Sequence, residues 1–464
     1  MKKSVKLMSL AVTALLIGGL VGCGTSSGGD TCPDNGDTAS KGKVLNIRVW
    51  NDEFISRFRS YYAGYVSTNA DNTDNLKDGT IVKWNKTAND NNGYQLALDE
   101  ALKNQDSAAA DDKIDMFLSE ADYILKYSNS PYTLDVQKDV GLSEADVADQ
   151  YQYTKDIATA DGVLKGVTWQ AAPGLYAYRR DIAKEVFGTD DPDAVQNKLS
   201  TWDNFNSAAK TVKDKGYKML SGYDDSYRVY SNNTTTPWVD SNGKVSIDAN
   251  IKKWVDDTKS YVDNGYAGNT ILWSGDWAKD QGPTGKVLGF FYSTWGINFT
   301  LAGNSLADST KPAVAGNGLF GQYAVCKGPA SWYWGGTWMH ACKGTDNLSQ
   351  IKDIMQSLTC TRTVANAITR IEQDYTNNVP AMHAIATDTS FGSTFLGGQN
   401  HIALFEKSAA AISMKNMTAY DQGCNETYQN AMHDYFAGTV DYAKALTNFK
   451  AKLSEKYPEL TYSF

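Results

Sequence analysis

Apolar residues recur along this chain at two spacings. Leu45, Ile47 and Val49 alternate with Asn46 and Arg48, which predicts a strand over residues 44–49. Tyr94, Leu98 and Leu102, with Ala97 and Ala101, recur every three to four positions and predict a helix. Residues 114–118 read as a short buried strand, and residues 287–292 are apolar enough for a central one. Further helices are predicted over 202–215, where Phe205, Ala208, Ala209 and Val212 share a face, and around Ile351, Ile354, Met355 and Leu358. Another runs from Tyr442 through Leu453 and is closed by Pro458. Asp161-Gly162 and Asn242-Gly243 sit between short apolar runs, as tight hairpins do. Helices alternating with short strands predict an α/β fold with mostly parallel sheets. In such folds a ligand lies beyond the carboxyl ends of the strands.

That rule singles out the residues after each predicted strand. Trp50, Asp52 and Glu53 follow the first strand, and Glu120 and Asp122 follow residues 114–118. Trp169 and Gln170 follow a short run at 166–168. Trp295 comes after the 287–292 strand, behind the small polar Ser293 and Thr294. Trp334 and Trp338 lie in an indole-rich stretch that also holds Trp332. These types suit a sugar. The C–H face of a pyranose lies flat on an indole, and its rim hydroxyls donate charge-assisted hydrogen bonds to carboxylates. Structural alternatives stand beside this reading. Trp50 could cap a core strand. Asp52 and Glu53 could cap a helix beginning at Phe54, and Glu120 and Asp122 one through Ile124 and Leu125. Trp202 and Trp254 lie on helical faces and are expected in the core.

The chain opens with Lys2, Lys3 and Lys6 before the apolar residues 7–22. That run is short of the roughly 20 residues that span a bilayer and reads as a secretory signal. It ends Leu20-Val21-Gly22-Cys23, which resembles a bacterial lipobox. The resemblance implies cleavage after residues 1–22 and lipidation of Cys23. Residues 23–43 are rich in Gly, Ser, Thr and Asp and read as a flexible tether. A G-x-S-x-G match at 24–28 falls in this tether, without the flanking strand and helix that a nucleophile elbow needs. Removal of the leader takes the formal charge from −9 to −12, because three Lys go and no acid does. An acidic chain argues against a nucleic-acid partner. Besides Cys23 there are Cys32, Cys326, Cys342, Cys360 and Cys424, an odd number whose connectivity the sequence does not give. The four His residues are scattered, which speaks against a zinc site, and no metal ligands or cofactor are expected. Two Asn/Asp-Gly clusters, at 90–93 and 240–243, would place Ala88 or Trp238 at the first ligand position and fail the calcium-loop pattern. From Val44 onward the chain is long enough to form two lobes rather than one core.

Four stretches, in order, resemble the family 1 extracellular solute-binding proteins, the maltose-binding-protein-like carbohydrate receptors of ABC importers. Asp115, Met116, Phe117 and Asp122 resemble the family's D-[IV]-[IF]-x-x-x-x-D segment. Leu175, Tyr178, Asp181 and Ile182 resemble L-x-Y-N-K-D-L, with Arg179-Arg180 in place of Asn-Lys. Gly285, Lys286 and Trp295 resemble G-K-A-A-M-x-x-x-G-P-W, with Ser293-Thr294 in place of Gly-Pro. Residues 335–344 resemble the segment that opens Gly-Gly. The likeness runs from about Val44 to Leu460. It implies a two-lobed periplasmic-binding-protein type II fold, with discontinuous lobes, a hinge and the ligand in the interlobe cleft. Lobe one would be 44–169 with 332–375, and lobe two 170–331 with 376–464. The position matching Trp295 stacks on sugar in that family, and those matching Asp52 and Asp122 bond sugar hydroxyls. The family's acidic residue before the Tyr178 strand falls near Ala172, where Trp169 and Gln170 are candidate substitutes. The function implied is capture of a carbohydrate, of oligosaccharide size, by a monomeric lipid-anchored protein outside the membrane. It would deliver that sugar to an ABC permease and would not be an enzyme. Two alternatives belong to other classes. One is a secreted carbohydrate-active enzyme, whose paired carboxyls would lie roughly 5–9.5 Å apart. The other is a binding protein that feeds a membrane sensor.

Overall fold

The computed structural model describes residues 44–464. The leader, Cys23, the tether and Cys32 lie outside the described residues. In chain order the strands are β1 (Val44–Val49), β2 (Tyr65–Thr68), β3 (Asp74–Leu76), β4 (Ile81–Lys86), β5 (Met116–Glu120), β6 (Thr159–Ala160), β7 (Val163–Leu164), β8 (Val167–Thr168), β9 (Gly174–Arg179), β10 (Leu220–Gly222), β11 (Lys244–Val245), β12 (Ala267–Thr270), β13 (Gly289–Ser293), β14 (Tyr323–Cys326), β15 (Thr337–Ala341) and β16 (Thr461–Tyr462).

Seven of them form one sheet, in the order β2-β3-β4-β1-β5-β15-β8. Alternation along β1 buries Leu45, Ile47 and Val49 completely, in one core with Phe54 and Phe58 of helix Glu53–Tyr61. A second sheet, β13-β9-β14, is antiparallel throughout. Its central strand β9 is buried along its whole length. A separate core around Trp254, Tyr428 and Phe449 joins helices Ala249–Asn264, Asp421–Phe436 and Tyr442–Lys456 beside this second sheet.

The predicted helices at 93–103, 202–214, 348–355 and 442–456 all form, and Asp161-Gly162 makes the β6–β7 hairpin. Three expectations are corrected. The large sheet is mixed rather than mostly parallel: β1 runs parallel to β4 and β5, but β15 runs antiparallel to both β5 and β8. The chain re-enters this sheet from the edge at which β1 and β5 leave it, so β15 has to run the other way. The strand expected at 114–118 starts two residues later, at Met116. Residues 287–292 are not a central strand. β13 pairs with β9 on one side, and its outer approach is covered where Leu288 N donates to Lys218 O at 2.8 Å, which explains the apolarity. Asn242-Gly243 makes a short hairpin as expected: Val239 bridges Val245 antiparallel, Asp240 N donates to Lys244 O (3.1 Å) and Ser246 N to Trp238 O (3.0 Å), after which β11 pairs in parallel with β16. Trp254 is core as expected, and Trp202 is half-buried, stacked on Tyr230 at 3.9 Å.

The chain passes between the two sheets three times, at residues 169–174, 331–337 and 373–378, and these segments pair with one another. Ala171 N donates to Tyr375 O (3.1 Å), and Trp334 N donates to Ala172 O (3.1 Å). Isolated bridges join Gln170 to Thr376 and Pro173 to Tyr333. Backbone with positive φ recurs here, at Ala172 (48°), Gly335 (80°), Gly336 (107°) and Gln373 (60°), as tight reversals between paired segments require. No helix among the described residues is long and apolar enough to cross a membrane.

His340, on β15, is wholly buried, stacked on Phe117, and held between Ser119 Oγ (2.6 Å) and Lys165 O (2.7 Å). Burial pushes its imidazole from 6.5 down to about 4. The folded protein keeps this ring neutral where the unfolded chain protonates it. Stability is therefore lost as pH falls from about 6.5 towards 4. The buried carboxyls oppose this trend equally in both proteins, so the unfolding free energy at pH 5 relative to pH 7.5, read by urea, should be lower in the wild type than in His340→Gln; an equal pH difference in the two proteins would remove His340 from the cause.

Candidate functional site

The carboxyl ends of β1, β5 and β8 and the amino end of β15 lie along one edge of the large sheet, and that edge borders a cavity of about 240 Å³. Seven of the ten expected residues line it: Trp50, Glu53, Glu120, Asp122, Gln170, Trp295 and Trp334. They come from both sides. Trp50 to Gln170 follow strands of the seven-stranded sheet, Trp295 follows β13 of the second, and Trp334 belongs to a crossover segment.

Three expected residues lie elsewhere. Asp52 is 73% exposed and pairs with Lys86 at the end of β4 (2.7 Å). Asn51 and Glu53, on either side of it, line the cavity, while Asp52 at the turn into the helix is drawn to Lys86. Asp52 sits at the N-cap position without a side-chain cap bond, so the capping alternative does not hold for it either. Trp169 is buried against Phe54, with ring centroids 5.4 Å apart. Trp338 is buried and donates to Thr154 O (3.0 Å). The two-residue period of β15 puts Thr337 on the cavity and Trp338 on the opposite face. None of these three side chains lines the cavity.

The polar side of the cavity is built from carboxyls. Gln170 Nε2 donates to Glu53 Oε1 (2.8 Å) and to Asp374 Oδ2 (2.8 Å), and Thr294 Oγ1 also donates to Asp374. This network ties both sheets to the third crossover. Burial, with the nearby charge of Asp374, pushes the Glu53 carboxyl up to about 7. Glu120 ends β5 and accepts from Asp122 N (2.7 Å). Burial, and after it the charge of Asp122, raises the Glu120 carboxyl as well. Such groups can donate to a ligand oxygen when protonated and accept from a hydroxyl when ionised. Asp122 holds Arg228 through two hydrogen bonds, of 2.8 and 2.6 Å.

The apolar side is a cluster of indoles. Trp295 is half-buried and donates from Nε1 to Trp334 O (2.8 Å). It lies not at the end of β13 but in the first turn of the helix that follows. Trp334 is more enclosed: Tyr292 stacks on its ring, and the Arg228 guanidinium lies 5.1 Å from the ring centre. Trp273, which the sequence reading missed, stacks on Trp295 (6.2 Å, 18° between planes) and is 54% exposed. Its φ of +70° is costly for a bulky residue, of order 1–3 kcal/mol, and such strain concentrates at functional positions. Phe299, 80% exposed, also borders the cavity. Trp273 carried only part of the sign that marked Trp295: it follows a strand, but Ile271 and Leu272 precede it where Ser293 and Thr294 precede Trp295. The strand before it, β12 (sequence AGNT), is not apolar enough to be read as one.

All four cysteines among the described residues are free thiols, and no group of three or more His, Cys, Asp or Glu there is placed to hold a metal.

The family profile described as bacterial extracellular solute-binding protein matches residues 86–393. The chain belongs to that family, and its place of work is accordingly outside the cytoplasm. No curated protein sequence matches it. Among solved structures, one titled extracellular solute-binding protein family 1 superposes with a TM-score of 0.69 at 15% identity, over 89% of this chain and 99% of that one. An ABC-transporter-associated binding protein of B. animalis subsp. lactis, in complex with β-1,6-galactobiose, gives 0.64 at 16% identity, over 91% and 100%. The galacto-N-biose-/lacto-N-biose I-binding protein of Bifidobacterium longum, with lacto-N-biose, gives 0.64 at 13%, over 91% and 100%. At these identities the likeness shows the fold, which is the two-lobed mixed α/β fold of periplasmic binding proteins.

The raised Glu53 carboxyl has a measurable consequence. Between its ordinary value of 4.5 and about 7, the folded protein holds a proton that the unfolded chain has released. Stability from this group is full below 4.5 and is lost as pH rises through 7. The drop in unfolding free energy between pH 5 and pH 8 should therefore be smaller in Glu53→Gln than in the wild type, and an unchanged drop would show that Glu53 titrates normally.

Proposed function

We propose that this protein captures a carbohydrate, of oligosaccharide size, outside the membrane and delivers it to an ABC-type permease. The observation that carries this reading is the cavity in which Glu53, Glu120 and Asp122 face the indoles of Trp295 and Trp334, with Trp273 stacked on Trp295. Carboxylates around a rim and flat apolar rings beside them match the hydroxyls and the C–H faces of a sugar. Three of the similar structures hold or bind sugars by their own titles, which supports the same ligand class here. The lobes are residues 44–169 with 332–375 and residues 170–331 with 376–464, and the paired crossovers form the hinge on which they close. The protein works as a monomer, anchored through lipid on Cys23, and releases its ligand chemically unchanged.

Thermal-shift screening against a panel of di- to hexasaccharides, followed by calorimetry and chromatography of the recovered sugar, tests the reading; hydrolysed sugar would move the protein to the enzyme class. Trp295→Ala and Trp273→Ala should each weaken binding about 5- to 150-fold, taking the roughly 1–3 kcal/mol of base–aromatic stacking as the guide for a sugar face. Melting should stay near native, because both rings are partly exposed. Unchanged affinity in folded Trp295→Ala would remove it as a platform. Cys23→Ala should shift the protein from the membrane to the soluble fraction, and continued membrane association would refute the lipid anchor.

A further inference from the structure

A second cavity, of about 210 Å³, adjoins the first and shares a wall with it. Asp122 lines both. Arg228 lines the second and lies against the ring of Trp334, which lines the first. One crossover segment serves both: Tyr333 faces the second cavity, and Trp334 with Gly335 faces the first. The partition is therefore made of side chains. At its centre Arg228, on the short helix Tyr227–Ser231, reaches across to Asp122, beyond β5, in a two-pronged ion pair. Both side chains keep about a quarter of their surface exposed, so the pair is accessible from the cleft and not locked in a core.

The far chamber is not an apolar void. Ser231, Asn232 and Gln429 bring a hydroxyl and amides to it, Tyr333 brings aromatic surface, and Lys415, Asp421 and Glu426 bring charges of both signs. Amides and carboxyls beside a ring fit the hydroxyls and C–H faces of a further sugar ring better than they fit a hydrocarbon.

We propose that the Asp122–Arg228 pair divides one continuous cleft into two chambers of similar size, and so sets the length of oligosaccharide the protein accepts. The proposal rests on the carbohydrate reading above. With the pair closed, a saccharide in the first chamber ends at Asp122. With the pair parted, the chain continues, and its next residue meets the amides of the second chamber.

The test is calorimetric titration with malto- and galacto-oligosaccharide ladders, from disaccharide to hexasaccharide. Three proteins are compared: the wild type, Asp122→Asn/Arg228→Gln, which removes both charges together, and that double variant carrying Ser413→Trp. Ser413 is exposed, lines the second chamber, and its substitution fills that space. Because Asp122 also lines the first chamber, the readout is a ratio: the affinity for the saccharide one unit longer than the wild-type optimum, relative to that for the optimum, should be about tenfold higher in the double variant than in the wild type. Ser413→Trp should cancel that gain while sparing the shorter sugars. Arg228→Lys keeps the charge but loses the fork, and should move the profile the same way by less; it stands in if the double variant does not fold. An unchanged length profile in a folded variant overturns the partition alone. Failure of the wild type to bind any sugar of the ladders overturns the carbohydrate reading, and the partition with it.

Discussion

The site depends on the way the three crossover segments pair with one another. Each carries backbone groups that would otherwise be stranded between two cores, and unpaired buried amides and carbonyls are costly. Ala171 with Tyr375, and Ala172 with Trp334, satisfy one another across the junction. That pairing sets where the chain leaves the first sheet for β9 and where it returns to it as β15. It also brings Gln170 and Trp334, which are distant in sequence, to one cavity, with Asp374 buried behind Gln170. A cleft lined from both sheets follows from this junction more than from any single strand.

The chemistry of the cleft combines two economies. Its carboxyls are buried enough that Glu53 and Glu120 hold their protons more tightly than usual, and Gln170 shares its amide between two of them. This keeps several acids close together without a full like-charge penalty. Asp122 is handled differently, with its charge matched by Arg228 from across the cleft. The indoles pack edge to face and in parallel, so Trp295 is steadied by Trp334 while Trp273 leaves surface towards solvent. A ring ordered in advance loses less freedom when a ligand arrives.

Periodicity carried the elements well where one face is buried. β1, the helix over residues 202–214 and the C-terminal helix all stand where their apolar spacing put them. It misled where burial has another source. The apolar run before Ser293 is buried by the segment around Lys218 rather than by strands on both sides, and β12 is too polar and glycine-rich to announce itself, which hid Trp273. The same held within the site. Glu53, Glu120, Asp122 and Gln170 were legible because they follow strands, but neighbours with the same signal separated. Asp52 turned to Lys86, Trp169 settled on Phe54, and Trp338 took the inner face of β15.

The sequence by itself determined the α/β class, the approximate positions of most helices and strands, and a set of acids and indoles gathered at strand ends, because hydrophobic spacing and strand-end chemistry are local properties of a chain. It also determined the family, through four short segments in the right order. Only the tertiary structure decided which of those side chains share a cavity, that the large sheet is mixed, that Trp273 stacks on Trp295 and that Arg228 pairs with Asp122. The direction of a side chain at a strand end depends on helix phase, strand register and the partner waiting across the cleft. Those are set by contacts between residues far apart in the chain, which no local pattern records.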